Sequence, residues 1–119
     1  FNNMLISAIK GDELKATYDQ YGSFTYVQDF VSELKKLVQN ERYGIYHIVN
    51  SRRGNALEFA NEIVRSVKSK SLIKEISISD SEKEGIKRSR SEVLIPSTEM
   101  RNWKDALKEH LSSIEYKTY

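Results

Sequence analysis

This chain of 119 residues has no cysteine, so neither a disulfide framework nor a thiolate metal site is open to it. It has a single proline, Pro96, and its five glycines stand alone at 11, 22, 44, 54 and 85. A dinucleotide site needs clustered glycines at a strand-to-helix turn, so that backbone donors can approach a pyrophosphate. No such turn exists in the sequence. No apolar run nears the ~20 residues of a membrane helix, and no signal peptide opens the chain. Neither sign of charge dominates: 19 Lys and Arg against 17 Asp and Glu leave +2, too little to imply a polyanionic partner. The basic stretches Arg65 to Lys74 and Lys83 to Arg90 contain no aromatic residue for base stacking, which argues against nucleic acid.

What is present is hydrophobic periodicity. Phe1, Met4, Leu5, Ala8 and Ile9 recur at helical spacing up to Gly11, and Glu13 to Tyr18 reads as a strand. Thr25-x-x-Gln28 has the form of a capping box opening a helix that carries Val27, Phe30, Val31, Leu34, Leu37 and Val38 and ends near Asn40. Gly44 to Val49, aromatic and β-branched, makes the strongest strand signal of the chain. Asn55-x-x-Glu58 opens the next helix, with Ala56, Phe59, Ala60, Ile63, Val64 and Val67 as its buried stripe. Glu58 and Glu62 fall on its polar side. Leu72 to Ser79 reads as a strand, and residues 79–90 as a polar loop with at most one helical turn. Asn102 then starts a last helix with Trp103, Ala106, Leu107, His110, Leu111 and Ile114 on one side. The expected order is α-β-α-β-α-β-loop-α, one small mixed α/β lobe over 1–119 with no internal linker or repeat. His47 in its strand and His110 on its apolar stripe read as packed, hydrogen-bonded histidines, and neither belongs to a metal-ligand cluster.

Five short motifs occur in order. They are Asp19-Gln20-Tyr21-Gly22-Ser23-Phe24-Thr25, Tyr43-Gly44-Ile45-Tyr46-His47, Glu58-Phe59-Ala60-Asn61-Glu62-Ile63, Arg88-Ser89-Arg90-Ser91-Glu92-Val93-Leu94 and Met100-Arg101-Asn102-Trp103-Lys104-Asp105-Ala106-Leu107. Together they resemble the C-terminal part of dTDP-4-dehydrorhamnose reductases and their relatives, extended members of the short-chain dehydrogenase/reductase superfamily. Phe24, Ser89 and Asn102 stand where that family has proline. Each such loss loosens a loop, because proline fixes φ and removes a donor.

The resemblance implies a C-terminal substrate-binding lobe without its Rossmann domain, so that the parent's dinucleotide-binding lobe is a partner absent from this chain. The start at Phe1, inside an apolar stripe, fits a piece of a longer protein. The implied parent is a cytoplasmic NAD(P)-dependent reductase that acts on the 4-keto group of a nucleotide-linked sugar, in rhamnose or cell-surface polysaccharide synthesis. The alternative is a non-catalytic regulatory or interaction relative. The superfamily's catalytic Tyr-x-x-x-Lys pair is missing: none of the seven tyrosines is followed by lysine four residues later. The chain alone is therefore expected to bind no cofactor and to be inactive, with no catalytic residue and no metal.

The substrate-binding residues implied are Arg88, Arg90 and Gln20. A guanidinium suits a diphosphate because its planar fork meets phosphate oxygens bidentately and stays charged. The reading of Gln20 is open between lining the substrate cleft and shaping a turn. Thr25 reads as a helix cap and Asp29 as a first-turn carboxylate on the helix dipole. A lobe without its partner domain also exposes apolar surface. Self-association is expected from it, with the first helix as the main contributor.

Overall fold

The computed structural model describes residues 1–81 and 87–114. Helix α1 (Asn2–Lys10) presents Leu5 and Ala8 to the core and stops at Gly11. Gly11 takes φ 78°, and the N–H groups of Gly11 and Asp12 donate to the carbonyls of Ala8 and Ser7 at 3.2 and 2.9 Å. That left-handed cap is cheap only for glycine. Strand β1 (Leu14–Thr17) buries Leu14 and Ala16 and exposes Lys15, the two-residue alternation of a one-sided strand. It pairs in parallel with β3 (Ile73–Ile76), in register Leu14↔Ile73 to Thr17↔Ile76.

Helix α3 (Ala56–Ser66) lies over both strands and against α1 and α5 (Trp103–Ser113). Its start is the expected one, since Asn55 Oδ1 accepts the Glu58 N–H at 2.8 Å. Asn102 caps α5 in the same way, accepting from the Lys104 N–H at 2.9 Å. Ala60, Ile63, Trp103, Leu107 and Leu111 complete the core. Phe24 stacks on Phe59 and tilts against Trp103 at 4.8 and 4.7 Å between ring centroids. A second parallel pair joins β2 (Tyr21–Gly22) to β4 (Ser91–Glu92), and α4 (Ile78–Ser81) is a single turn.

The mixed α/β class holds, but the order departs from expectation: the short strands β2 and β4 are added, and one expected strand is absent. Residues 44–49 form no strand: Ile45 is 93% exposed and Tyr43 86%. Strand propensity records fit to a pleated, half-buried surface, and no described element offers this segment a sheet edge. Two bonds hold it instead, between the His47 N–H and Ser97 Oγ (2.8 Å) and between the Ser97 N–H and the His47 carbonyl (3.0 Å). His47 is exposed, not packed. His110 does pack, between the rings of Phe1 and Tyr26 at 5.0 and 5.5 Å. The strand expected to run to Ser79 ends at Ile76, because Asp19 Oδ1 accepts the Ile78 N–H at 2.7 Å and the chain turns into α4. Part of the polar loop expected over 79–90, residues 82–86, lies outside the described residues.

Helix α2 (Val27–Gln39) has the expected span but an unexpected environment. Only Leu37 of its apolar stripe is buried, while Val27, Phe30, Val31, Leu34 and Val38 are exposed. Exposed apolar surface therefore sits on α2 rather than on α1. Thr25 does not cap this helix. The N-cap is Tyr26, whose N–H is taken by Asn50 Oδ1 at 2.7 Å, and Thr25 is exposed. Glu62, expected on a polar face, is 5% exposed; Oε1 meets Arg65 at 3.4 Å, and Oε2 is buried without a hydrogen-bond partner among the described residues.

Candidate functional site

Two hollows flank the aromatic cluster, and their chemistry differs. The larger, about 540 Å³, is walled by Phe1, Phe24, Tyr26, Phe59, Trp103 and His110 and includes no lysine, arginine or carboxylate among its lining residues. It offers a phosphate no ammonium or guanidinium side chain. The second is a cleft of about 340 Å³ on the other side of Phe24, lined by Gln20, Tyr21, Gly22, Gly54, Arg88 and Glu92, among others.

Two distant stretches build that cleft. The Tyr21 N–H donates to the Arg90 carbonyl at 2.9 Å, and Gln20 Nε2 donates to the Ser89 carbonyl at 3.1 Å. These bonds draw residues 88–91 onto residues 20–22. Gln20 thus ties the 88–91 loop and lines this cleft. Arg88 joins it there. Arg90 is not among the lining residues: its guanidinium meets Asp19 Oδ2 at 3.5 Å and Ser79 Oγ at 3.0 Å. So exposed an ion pair contributes little stability, but it aims Arg90 away from the cleft.

The opposite wall is the 50–56 loop. Gly22 and Gly54 exchange backbone hydrogen bonds at 2.9 and 3.0 Å, an antiparallel bridge that brings this loop against β2. Gly54 is required by packing. A Cβ there would lie 2.6 Å from Phe24 Cε2 and 2.8 Å from Trp103 Cζ2, closer than real Cβ contacts come. Trp103 Nε1 in turn donates to the Arg53 carbonyl at 3.2 Å, and the Arg53 guanidinium lies 4.4 Å above the Tyr21 ring. The sequence reading missed Arg53. Its only signal was a doublet of arginines between a strand-like segment and a helix cap.

Behind the site, a polar cluster fixes α2 to α5. Arg101 donates from Nε and Nη2 to the two Asp29 oxygens at 2.8 and 3.0 Å, and from Nη2 to Glu109 at 2.7 Å. Asn50, buried, donates to Asp29 Oδ2 at 2.7 Å. Asp29 is structural, as expected, but through these partners more than through the helix dipole. Burial pushes its carboxyl up, and the bonds from Arg101 and Asn50 with the Arg101 charge more than offset that, holding it below its ordinary 3.8. The stabilisation from this cluster is then complete above that ordinary value and is lost as the pH falls through the lower folded value. Asp29→Asn should cost about 1–2 kcal/mol near neutral pH, at the low end for charged bonds because Arg101 is partly exposed. It should also flatten the acid limb of stability. Urea unfolding of both proteins across the acid range measures it.

Among the described residues no group of three or more His, Cys, Asp or Glu is arranged to hold a metal ion. Of the described glycines, Gly11 caps a helix, and Gly22 and Gly54 face each other across a bridge. No helix among the described residues is long and apolar enough to cross a membrane.

Three solved structures are similar in fold. They are dTDP-4-dehydrorhamnose reductases from Bacillus anthracis str. Ames in complex with NADP (22% identity, TM-score 0.85), Clostridium acetobutylicum ATCC 824 (25%, 0.84) and Yersinia enterocolitica (18%, 0.82). They align with 95%, 93% and 92% of this chain, which spans only 42%, 42% and 41% of theirs. A comparison with curated proteins finds none that matches. The family model described as the RmlD substrate binding domain matches residues 1–116. With a mixed α/β lobe and the five motifs in order, the chain belongs to the RmlD substrate binding domain family.

Proposed function

We propose that this chain is the part of an NAD(P)-dependent sugar-nucleotide reductase that holds the nucleotide-linked sugar, and that it does so in the Gln20–Arg88 cleft. The observation that carries the reading is the meeting of these two residues, 68 positions apart in the chain, in one cleft of about 340 Å³. A guanidinium and a side-chain amide supply the charge-assisted and neutral hydrogen bonds that a diphosphate and its sugar take. Arg90 then acts on the loop rather than on the ligand.

The hydride donor, NADPH or NADH, is assigned in this proposal to a dinucleotide-binding domain elsewhere in the protein. That assignment is supported by the reductase bound to NADP among the similar structures. This chain binds and orients the sugar nucleotide and helps exclude water; alone, it is inactive. The 4-keto sugar of a dTDP-linked substrate and a cytoplasmic location belong to the same proposal. So does self-association, which the exposed apolar face of α2 supports. That face also favours the second reading, a non-catalytic interaction relative.

Calorimetry separates the two. Arg88→Ala should weaken binding of a dTDP-linked hexose by about 1.5–3 kcal/mol, the scale of charge-assisted bonds. Unchanged affinity would remove Arg88 from the site, and no binding by the unmodified chain would favour the interaction reading.

A further inference from the structure

The cleft has a charge problem that Arg88 alone does not solve. Arg88 is the one cation and Glu92 the one carboxylate among its lining residues, so their formal charges cancel. A diphosphate brings at least two negative charges into that neutral setting, and like charge from Glu92 opposes it. Another cation close by restores the balance.

Arg53 has the position and the preparation. Its carbonyl is held by Trp103 Nε1 at 3.2 Å, and the next residue, Gly54, is locked to Gly22 by two backbone bonds, so its main chain is fixed at the cleft wall. Its guanidinium lies 4.4 Å above the ring of Tyr21, itself a lining residue. An aromatic face restrains the arginine without using its donors, since the attraction is to the ring's quadrupole. The N–H fork is left to meet oxygens, and less freedom is lost when it does. The side chain is exposed, so core packing does not explain its order.

We propose that Arg53, set on the face of Tyr21, is the second guanidinium of this cleft and binds a phosphate of the same nucleotide diphosphate that Arg88 meets. The proposal rests on the Gln20–Arg88 reading and adds a residue to it. Two arginines against Glu92 make the cleft net positive, and Tyr21 is a positioning residue.

The test uses this chain and two probes, inorganic pyrophosphate and thymidine diphosphate, titrated by calorimetry at low and high salt. Arg53→Ala should bind both about tenfold more weakly and show a shallower salt dependence. Arg53→Lys should recover part of the loss, because it returns the charge without the fork. Tyr21→Leu should cost about threefold, the size of an exposed cation–π contact. Thermal midpoints should stay unchanged in both Arg53 variants, which separates ligand contact from a structural role. Equal affinity of Arg53→Ala and the unmodified chain, with Arg88→Ala impaired, would overturn this inference and leave the Arg88 reading standing. No binding of either probe by the unmodified chain would overturn both.

Discussion

Replacing Trp103 by alanine should lower the unfolding free energy by about 4 kcal/mol, the usual cost of deleting a buried large aromatic. The indole is 2% exposed and begins α5, where it packs against Phe24 and Phe59 at centroid distances of 4.7 and 6.0 Å. Its Nε1 also holds the Arg53 carbonyl, so the variant leaves a void and an unpaired acceptor together. A domain of this size has roughly 5–15 kcal/mol in total, so a large part of its stability should go. Urea unfolding followed by far-ultraviolet circular dichroism measures the shift. Trp103→Phe should recover the ring packing but not the hydrogen bond, and fall between the two.

Gly54→Ala should cost about 3 kcal/mol, near the upper end for overpacking. The new methyl would meet Phe24 Cε2 at 2.6 Å and the Trp103 ring at 2.8 and 2.9 Å. Trp103 is buried and Phe24 stacks on Phe59, so moving either ring loses packing, and moving the loop instead stretches the paired bonds between Gly22 and Gly54. Stability and ligand binding should therefore fall together. Gly22→Ala is the control: a Cβ there meets nothing within 4 Å. It should stay within about 1 kcal/mol of the unmodified chain. Equal effects of the two substitutions would contradict the packing account.

Local signals in the sequence were reliable where the chain itself completes them. Asn55 and Asn102 cap α3 and α5 because each cap oxygen and the N–H that donates to it lie within three residues of each other. Gly11 ends α1 because only the backbone's left-handed turn is needed. Signals that need a distant partner were the ones that misled. Residues 44–49 have strand composition but no sheet edge, and the apolar stripe of α2, Leu37 apart, is left exposed. The capping box at Thr25 lost to Asn50, a residue 24 positions from Tyr26, whose side chain takes the N–H that marks the helix start.

The site shows the same division. Gln20 and Arg88 entered the candidate site through the resemblance, which suggests a long-range pairing that composition cannot, and both line one cleft. Arg90 was not separable from Arg88 by sequence, since two residues along an irregular loop place one guanidinium at the cleft and the other on Asp19. Arg53 depends on a ring 32 positions away and on the Gly22–Gly54 bridge, neither visible in local pattern.

The most direct measurement of the central claim is a map of backbone amide shifts as a dTDP-linked hexose is titrated into this chain. The account predicts saturable changes concentrated at Gln20, Tyr21, Gly22, Gly54 and Arg88, which Arg88→Ala weakens. Changes confined to the aromatic hollow between Phe1, Phe59 and His110, or no changes at all, would contradict it.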